Sequence, residues 1–327
     1  MPEEFNIFEA ASNGLLSSLL KYGTLEKKAR GLILIHEGKK DQDIIFLRSG
    51  KMLVTTTDDR KEQIKLSEIK AGGIAGEMSW LEKRPAVATV SSVEECDVLR
   101  ISQNQLELLN ANHLLEFHQL LSMKLAIQLT NQNDWIHRQE GCKVDIESMR
   151  KVFTFFAQLE DADIYKLAQM GTLISLDAND ILLHQGQEVL ALYLILSGKL
   201  NVYTKVNNVE KKIGQTSRGE LLGEITFSIP GSVGASAKVV CDKDGAELLE
   251  INKELLMDIL TQDLDFGIRF YRALSCTISQ RNRDQLLSLQ LANKTGSENR
   301  KELNISQPDQ ISITELAGVS KAGRRFQ

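Results

Sequence analysis

The feature that most constrains this chain is that it repeats itself. At a shift of 148 residues, Ile44 to Val54 (IIFLRSGKMLV) matches Leu192 to Val202 (LYLILSGKLNV), centred on Ser49-Gly50-Lys51 and Ser197-Gly198-Lys199. Upstream, Ile33-Leu34-Ile35-His36-Glu37-Gly38 matches Ile181-Leu182-Leu183-His184-Gln185-Gly186 at the same shift; downstream, Gly76-Glu77-Met78-Ser79-Trp80 matches Gly223-Glu224-Ile225-Thr226-Phe227 at 147. Solenoid units run ~20 to 50 residues, so a period this long makes each copy a complete domain. A chain of 327 residues, at ~150 residues per domain, leads to the same number of domains, two.

Within a copy, short apolar or alternating runs are broken by glycine and acidic turns: Leu32 to His36, Ile44 to Leu47, Met52 to Thr56, Ile64 to Ile69, Ala88 to Val93 and Val98 to Ile101. That spacing predicts strands. Runs such as Ile44-Ile45-Phe46-Leu47, apolar on both faces, fit a roll whose sheets enclose a core. Helices bracket each block. Ser102-x-x-Gln105 offers a capping box ahead of a segment in which Phe117, Leu121, Leu125 and Leu129 recur every four residues. Asn252 caps a helix through Leu260, and Phe266 to Leu291 repeats the closing helix with Arg281 and Arg283 on its polar face. A leading helix is expected over Asp161 to Met170.

Composition removes several function classes. The 39 basic and 44 acidic side chains give a net charge of −5, which argues against whole-protein attraction to nucleic acid. The longest apolar run, Val189 to Leu196, is far short of the ~18 residues a membrane helix needs, so no span is expected. The opening Met-Pro-Glu-Glu-Phe is acidic and unlike a secretory signal, which makes the expected location cytoplasmic. Cys96, Cys142, Cys241 and Cys276 lie far apart, the five histidines are scattered, and no phosphate-loop, nucleophile-elbow or dinucleotide motif occurs. No metal site, no cofactor and no catalytic residue is expected.

The ordered set Glu37-Gly38, Ser49-Gly50, Gly76-Glu77, repeated as Gln185-Gly186, Ser197-Gly198, Gly223-Glu224, resembles the cyclic nucleotide-binding domain family, the β-rolls of catabolite activator proteins, of the regulatory subunits of cyclic-AMP-dependent kinase and of some ion channels. The resemblance covers about residues 5 to 290. It implies an α+β fold of two tandem eight-stranded β-rolls with flanking helices. The boundaries expected are a first domain with its closing helix over 1–131, a helical joint over 132–150, a second domain over 151–293 and a flexible tail over 294–327.

It also implies a site in each copy. In the family a short helix presents backbone N–H groups to a phosphate, its glutamate accepts from the ribose 2′-hydroxyl, and an arginine after a proline pairs with the phosphate. Carried onto copy one, the ligand-binding set is Gly76, Glu77, Met78, Ser79, Arg84, Ala86, Val87 and Thr89, with alanine at Ala86 in the arginine's place and Arg84 as a stand-in. In copy two it is Gly223, Glu224, Ile225, Thr226, Val233 and Ser236, with the arginine's place near Val233 and no cation there. Trp135 is a candidate lid over a purine. A charge-assisted contact contributes roughly 1.5 to 3 kcal/mol, so its loss weakens a site without abolishing it.

The ligand implied is cyclic AMP or cyclic GMP, weakly and first at copy one. The function implied is a non-enzymatic signalling protein that senses that ligand or uses its rolls to dock a protein partner. The stripe Phe117, Leu121, Leu125, Leu129 is expected to be an interface, either between the two lobes or between two chains as a homodimer through the closing helices. Two alternatives stand beside it: a transcription regulator of the catabolite activator type, and a regulatory subunit of a kinase or other enzyme. Against the first is the segment Ile313 to Ser320, which has the flavour of a helix-turn-helix without room for a recognition helix before Gln327. Against the second is the lack of an Arg-Arg-x-Ser/Ala stretch ahead of the first roll.

Overall fold

The computed structural model of the chain describes residues 5–40, 43–57, 63–136, 155–206, 209–229, 231 and 234–302, and within these all side chains except those at 131–136, 206 and 285–302. Lobe 1 begins with helices α1 (Ile7–Ala10) and α2 (Asn13–Tyr22). Its strands are β1 (Thr24–Lys28), β2 (Ile33–Ile35), β3 (Ile44–Ser49), β4 (Lys51–Thr57), β5 (Gln63–Lys70), β6 (Ile74–Ala75), β7 (Thr89–Ser92) and β8 (Cys96–Ile101). The short helix α3 (Glu77–Glu82) lies between β6 and β7, and α4 (Gln103–Leu106) and α5 (Ala111–Ile136) close the lobe. The strands form two four-stranded antiparallel sheets, β1-β8-β3-β6 and β2-β7-β4-β5, which is the expected eight-stranded roll.

Lobe 2 repeats the order with one difference. After α6 (Asp161–Met170) come β9 (Thr172–Leu176), β10 (Ile181–Leu183), β11 (Ala191–Val206), β12 (Val209–Ser217), β13 (Leu221–Leu222), the short helix α7 (Glu224–Ser228), β14 (Lys238–Asn252), α8 (Lys253–Gln262) and α9 (Leu264–Glu302). Here β11 runs through the stretch that lobe 1 divides into β3 and β4, and β14 through β7 and β8, so eight segments become six strands of one sheet. The bend survives inside β11 as register shifts on either side of Ser197-Gly198. Gly50 and Gly198 both adopt left-handed backbone, with φ of 88° and 82°. A Cβ on Gly50 would lie 2.5 Å from the Glu95 carbonyl oxygen, so the turn requires glycine twice over.

The β1 and β6 strands and their lobe 2 counterparts, β9 and β13, were not among the strands expected from the sequence. Thr24–Lys28 is rich in charge, and its place on a sheet edge is set by antiparallel pairing with β8. The capping box also does less than expected. Ser102 N donates to Gln105 Oε1 at 2.8 Å, but this starts only the single turn α4; the long helix is capped afresh by Asn110, whose Oδ1 accepts from His113 N at 2.9 Å. In lobe 2 Asn252 Oδ1 accepts from Leu255 N at 3.0 Å and caps α8, and Asp263 Oδ1 accepts from Phe266 N at 3.0 Å to cap α9.

Three apolar cores result. Each roll encloses its own, around Leu47, Met52 and Val98 in lobe 1 and around Ile195, Leu200 and Leu248 in lobe 2. The third is built from the closing helices and joins the lobes. Phe117, Leu121, Leu125 and Leu129 are all buried in it with Phe270, Leu274 and Ile278 of α9. Each such side chain gains roughly 1.5 to 3 kcal/mol from burial. The stripe therefore docks lobe to lobe within one chain, and the homodimer expected of these helices would need a different face. The pair runs parallel: His118 O accepts from Ser275 Oγ at 3.4 Å and, seven residues on in both helices, Leu125 O accepts from Asn282 Nδ2 at 3.1 Å.

Helix α5 passes the 131/132 boundary and α9 passes 293/294, ending at Ile136 and Glu302. Most of the joint, the tail beyond 302, Cys142 and the segment Ile313 to Ser320 lie outside the described residues. Cys96, Cys241 and Cys276 are buried free thiols. Among the described residues no helix is long and apolar enough to cross a membrane, and no His/Cys/Asp/Glu group has the arrangement of a metal site.

Candidate functional site

The short helix of each copy and the loop that follows it, its cassette, open with a glycine in left-handed backbone, Gly76 at φ 88° before α3 and Gly223 at φ 86° before α7, standing as the N-cap of the helix. That conformation turns the chain from β6 or β13 into the helix, and backbone already fills the space a Cβ would take, Asp43 O at Gly76 and Ala191 O at Gly223. The next residue in each is a buried glutamate, Glu77 at 4% exposure and Glu224 at 3%. A carboxylate at a helix N-terminus suits the macrodipole, but burial of this degree also calls for a cation. The closing helices supply it. Lys124 of α5 donates to Glu77 Oε1 and, at 2.9 Å, to Gln128 Oε1; Arg281 of α9 donates to Glu224 Oε1 and, at 2.9 Å, to the Leu221 carbonyl.

The rest of the copy one set surrounds α3. Met78 and Ser79 are buried, Ala86 is buried, Val87 and Thr89 are half-buried, and Arg84 is exposed. Thr89 Oγ1 accepts from Glu37 N at 3.2 Å. The Glu37 side chain in turn accepts from Thr56 Oγ1 at 2.8 Å and Thr57 N at 3.0 Å, which explains the acidic-Gly turn as a tie between two strands. Gln185 does the same in lobe 2, accepting from Lys205 N at 2.9 Å.

The arginine's place is fixed by backbone pairing. Gly38 N donates to Ala86 O at 2.8 Å and Ala86 N to Lys39 O at 2.9 Å; in lobe 2 Gly186 N donates to Ala235 O at 2.8 Å and Ala235 N to Gln187 O at 2.7 Å. The counterpart of Ala86 is therefore Ala235, a shift of 149. This corrects the placement near Val233, which lies outside the described residues, as two extra residues between α7 and β14 move the register. Ile225 is half-buried, Thr226 buried and Ser236 exposed. Both lobes thus carry a buried alanine where the family pattern has arginine. The turn facing it differs: Lys39 and Lys40, with Lys83 and Arg84 nearby, are exposed cations in lobe 1, whereas lobe 2 presents Gln187 and Glu188.

Trp80 and Phe227 anchor the two cassettes to the closing helices. Trp80 lies 6.0 Å from Phe117 and stacks on His118 at 5.7 Å, and Phe227 lies 5.6 Å from Phe270 and 5.9 Å from Tyr271. His118 is fully buried, and desolvation, aided by the Arg272 charge, lowers its pKa to about 3. It is neutral at physiological pH. The Trp135 side chain, the candidate lid, lies outside the described residues.

Arg281 and Arg283 are not on a solvated face, as periodicity alone suggests. Arg281 grips its own lobe's cassette, while Arg283 crosses to the other. Its guanidinium meets Glu82 at 2.6 Å as a charge contact, both side chains being 6% exposed, and its Nη1 donates to Pro85 O at 3.2 Å. Ser279 Oγ donates to Glu82 at 2.6 Å and Cys276 Sγ to Leu81 O at 3.7 Å. Reciprocally, α5 packs on α7. Spacing could not reveal these partners, since they lie almost 200 residues apart.

The cyclic nucleotide-binding domain family matches the chain at residues 25–113 and 173–263, more than half of its length. The cGMP-dependent protein kinase egl-4 of Caenorhabditis briggsae is 22% identical over 249 residues, covering 74% of this chain and 29% of the kinase. Patatin-like phospholipase domain-containing protein 6 of Mus musculus is 22% identical over 255 residues, covering 75% of this chain and 16% of that protein. The chain therefore spans less than a third of these curated relatives. Among solved structures, the regulatory domain of Toxoplasma gondii PKA with cAMP shares 14% identity at a TM-score of 0.30, covering 79% of this chain and 89% of that one. A regulatory subunit of a cAMP-independent protein kinase A from Trypanosoma brucei shares 17% at 0.29, covering 80% and 92%.

Proposed function

Because the chain belongs to the cyclic nucleotide-binding domain family, whose domains regulate rather than catalyse, we propose that it is a non-enzymatic cytoplasmic regulator that senses a cyclic nucleotide at lobe 1 and passes its state to a protein partner. The observation that carries this reading is the lobe 1 cassette. Gly76 and Glu77 open α3, Ala86 is pinned beside it, and Lys39, Lys40, Lys83 and Arg84 form the exposed surround. A phosphate without a guanidinium partner would be met by the α3 backbone N–H groups and these cations. Lobe 2, with Gln187 and Glu188 in the same place, offers an anion much less.

A second reading, the roll as a protein-docking surface, is favoured by one observation. Glu77 and Glu224 are already paired with Lys124 and Arg281. An ionised carboxylate has room for several donors, so the sensor reading adds a ribose hydroxyl beside the cation already there. Calorimetry of the full chain with cyclic AMP and cyclic GMP decides. The sensor reading expects weak binding to one site, reduced about tenfold by Glu77→Ala, roughly the loss of one hydrogen bond to a charged group. Absence of binding to both nucleotides would overturn it in favour of docking.

A further inference from the structure

Three consecutive residues of α9 hold three different elements. Arg281 bonds both sides of the lobe 2 N-cap Gly223, at Glu224 and at Leu221 O. Asn282, fully buried, donates to Leu125 O of α5, next to the Lys124 that holds Glu77. Arg283 holds both ends of the lobe 1 loop after α3, through its charge contact with Glu82 and its hydrogen bond to the carbonyl of Pro85, the residue before Ala86. The lobe 1 cassette is thus shaped in trans by the closing helix of lobe 2.

We propose that the segment Arg281-Asn282-Arg283 is a yoke between the two cassettes: Arg283 is a positioning residue for the lobe 1 site, and through Arg281 the state of the lobe 2 cassette sets how firmly that site is held. The part concerning ligand rests on the sensor reading of lobe 1; the mechanical coupling does not. The physical reason is rigidity. A helix displaces as a unit, and residues two apart on a packed, parallel helix pair cannot move independently without breaking the buried bond of Asn282 to α5. Loosening Arg281 from Glu224 therefore frees α9 to shift, and Arg283 shifts with it. By linkage, a ligand that tightens one cassette tightens the other.

Hydrogen exchange on the full chain, without ligand, tests the coupling. Arg281→Ala removes the bonds to Glu224 and Leu221 O in lobe 2, and the yoke expects lost protection both at residues 224–228 and at 77–86, by about tenfold in the latter, the lower range of allosteric couplings. Arg283→Met keeps the unbranched stem of the side chain without its guanidinium and expects loss at 77–86, and the charge reversal Glu82→Arg with Arg283→Glu should restore it. Unchanged protection at 77–86 in a folded Arg281→Ala variant would overturn the yoke, as would loss confined to lobe 2. If Arg281→Ala fails to fold, Arg281→Lys replaces it, with the same two segments read. A second arm titrates cyclic AMP: Arg283→Met should weaken lobe 1 binding about tenfold and Arg283→Lys should recover part of it. Absence of binding by the wild type would sink the sensor reading alone, while the exchange arm still decides the yoke; binding indifferent to both substitutions would overturn the positioning role of Arg283.

Discussion

Lobe 1 meets its missing arginine with a surround of cations, and lobe 2 meets the same loss with Gln187 and Glu188. Yet both bury the cassette glutamate against a cation from a closing helix, and they do so from different places. Trp80–Phe117 and Phe227–Phe270 are equivalent contacts and set the helix register at a shift of 153. In that register Lys124 corresponds to Thr277, and Arg281 to Gln128. The cation has moved by one turn between copies while the ion pair has stayed. What the lobes share is thus mechanical, a glutamate tied to a closing helix; what separates them is electrostatic, and lies on the exposed turns that pair with Ala86 and Ala235.

The largest effect should come from breaking what the lobes share. Arg283→Ala leaves Glu82 buried without its charge partner, which typically costs 3 to 5 kcal/mol. Because the pair spans the two lobes, thermal unfolding should change from one transition toward two. An unaltered single transition would show that the apolar helix stripe docks the lobes without it.

Next in size is the electrostatic difference. Ala86→Arg should tighten cyclic AMP at lobe 1 by one to two decades, from the ~1.5 to 3 kcal/mol of a charged hydrogen bond. Ala235→Arg, next to Gln187 and Glu188, should gain less. Equal gains, measured by calorimetry at one salt concentration, would show that the surrounding charges are irrelevant to the site.

How much of this the sequence disclosed follows from the range of each interaction. The turn glycines, the short strands and the stripe Phe117, Leu121, Leu125, Leu129 are local patterns, and they were legible. The position of Ala235 was not, because an ungapped shift cannot see the two residues inserted after α7. Charge-rich Thr24–Lys28 was missed because its strand is defined by pairing with β8. Arg281 and Arg283 were misread for a related reason. Helical periodicity assigns a polar face to water, whereas here the facing surface is a cassette from each lobe, supplied by packing that no local pattern encodes.

The cassette anchors differ in acid. Lobe 1 stacks Trp80 on His118, and lobe 2 puts Tyr271 against Phe227 in that place. The folded-state pKa of His118, about 3, lies below the ordinary imidazole value of 6.5. The unfolded chain therefore binds the proton more readily, and stability is lost as pH falls below 6.5. At pH 5 that loss is about 2 kcal/mol. His118→Phe should remove this part of the acid sensitivity between pH 6.5 and 4, seen in urea midpoints. An unchanged slope would mean that the ring protonates without leaving its site.

The smallest contrast concerns the helix caps. Asn110 and Asp263 occupy equivalent positions ahead of α5 and α9, and each accepts one backbone N–H through Oδ1. Either one replaced by alanine should cost about 1 kcal/mol at neutral pH. Their acid behaviour must differ, since only Asp263 titrates. The hydrogen bond from Lys166, then that from Phe266 N, holds its carboxyl below the ordinary value of 3.8. A depressed folded-state pKa contributes stability that is present above 3.8 and lost as pH falls through the folded value. The cost of Asp263→Ala should therefore shrink in strong acid while that of Asn110→Ala stays constant, as chemical denaturation at pH 7 and pH 3 would show. Asp263→Asn separates the two contributions: it keeps the cap, gives up the Lys166 pair, and should make the α9 cap as insensitive to acid as that of α5. Parallel pH profiles for Asp263→Ala and Asn110→Ala would show that the aspartate works through its shape alone.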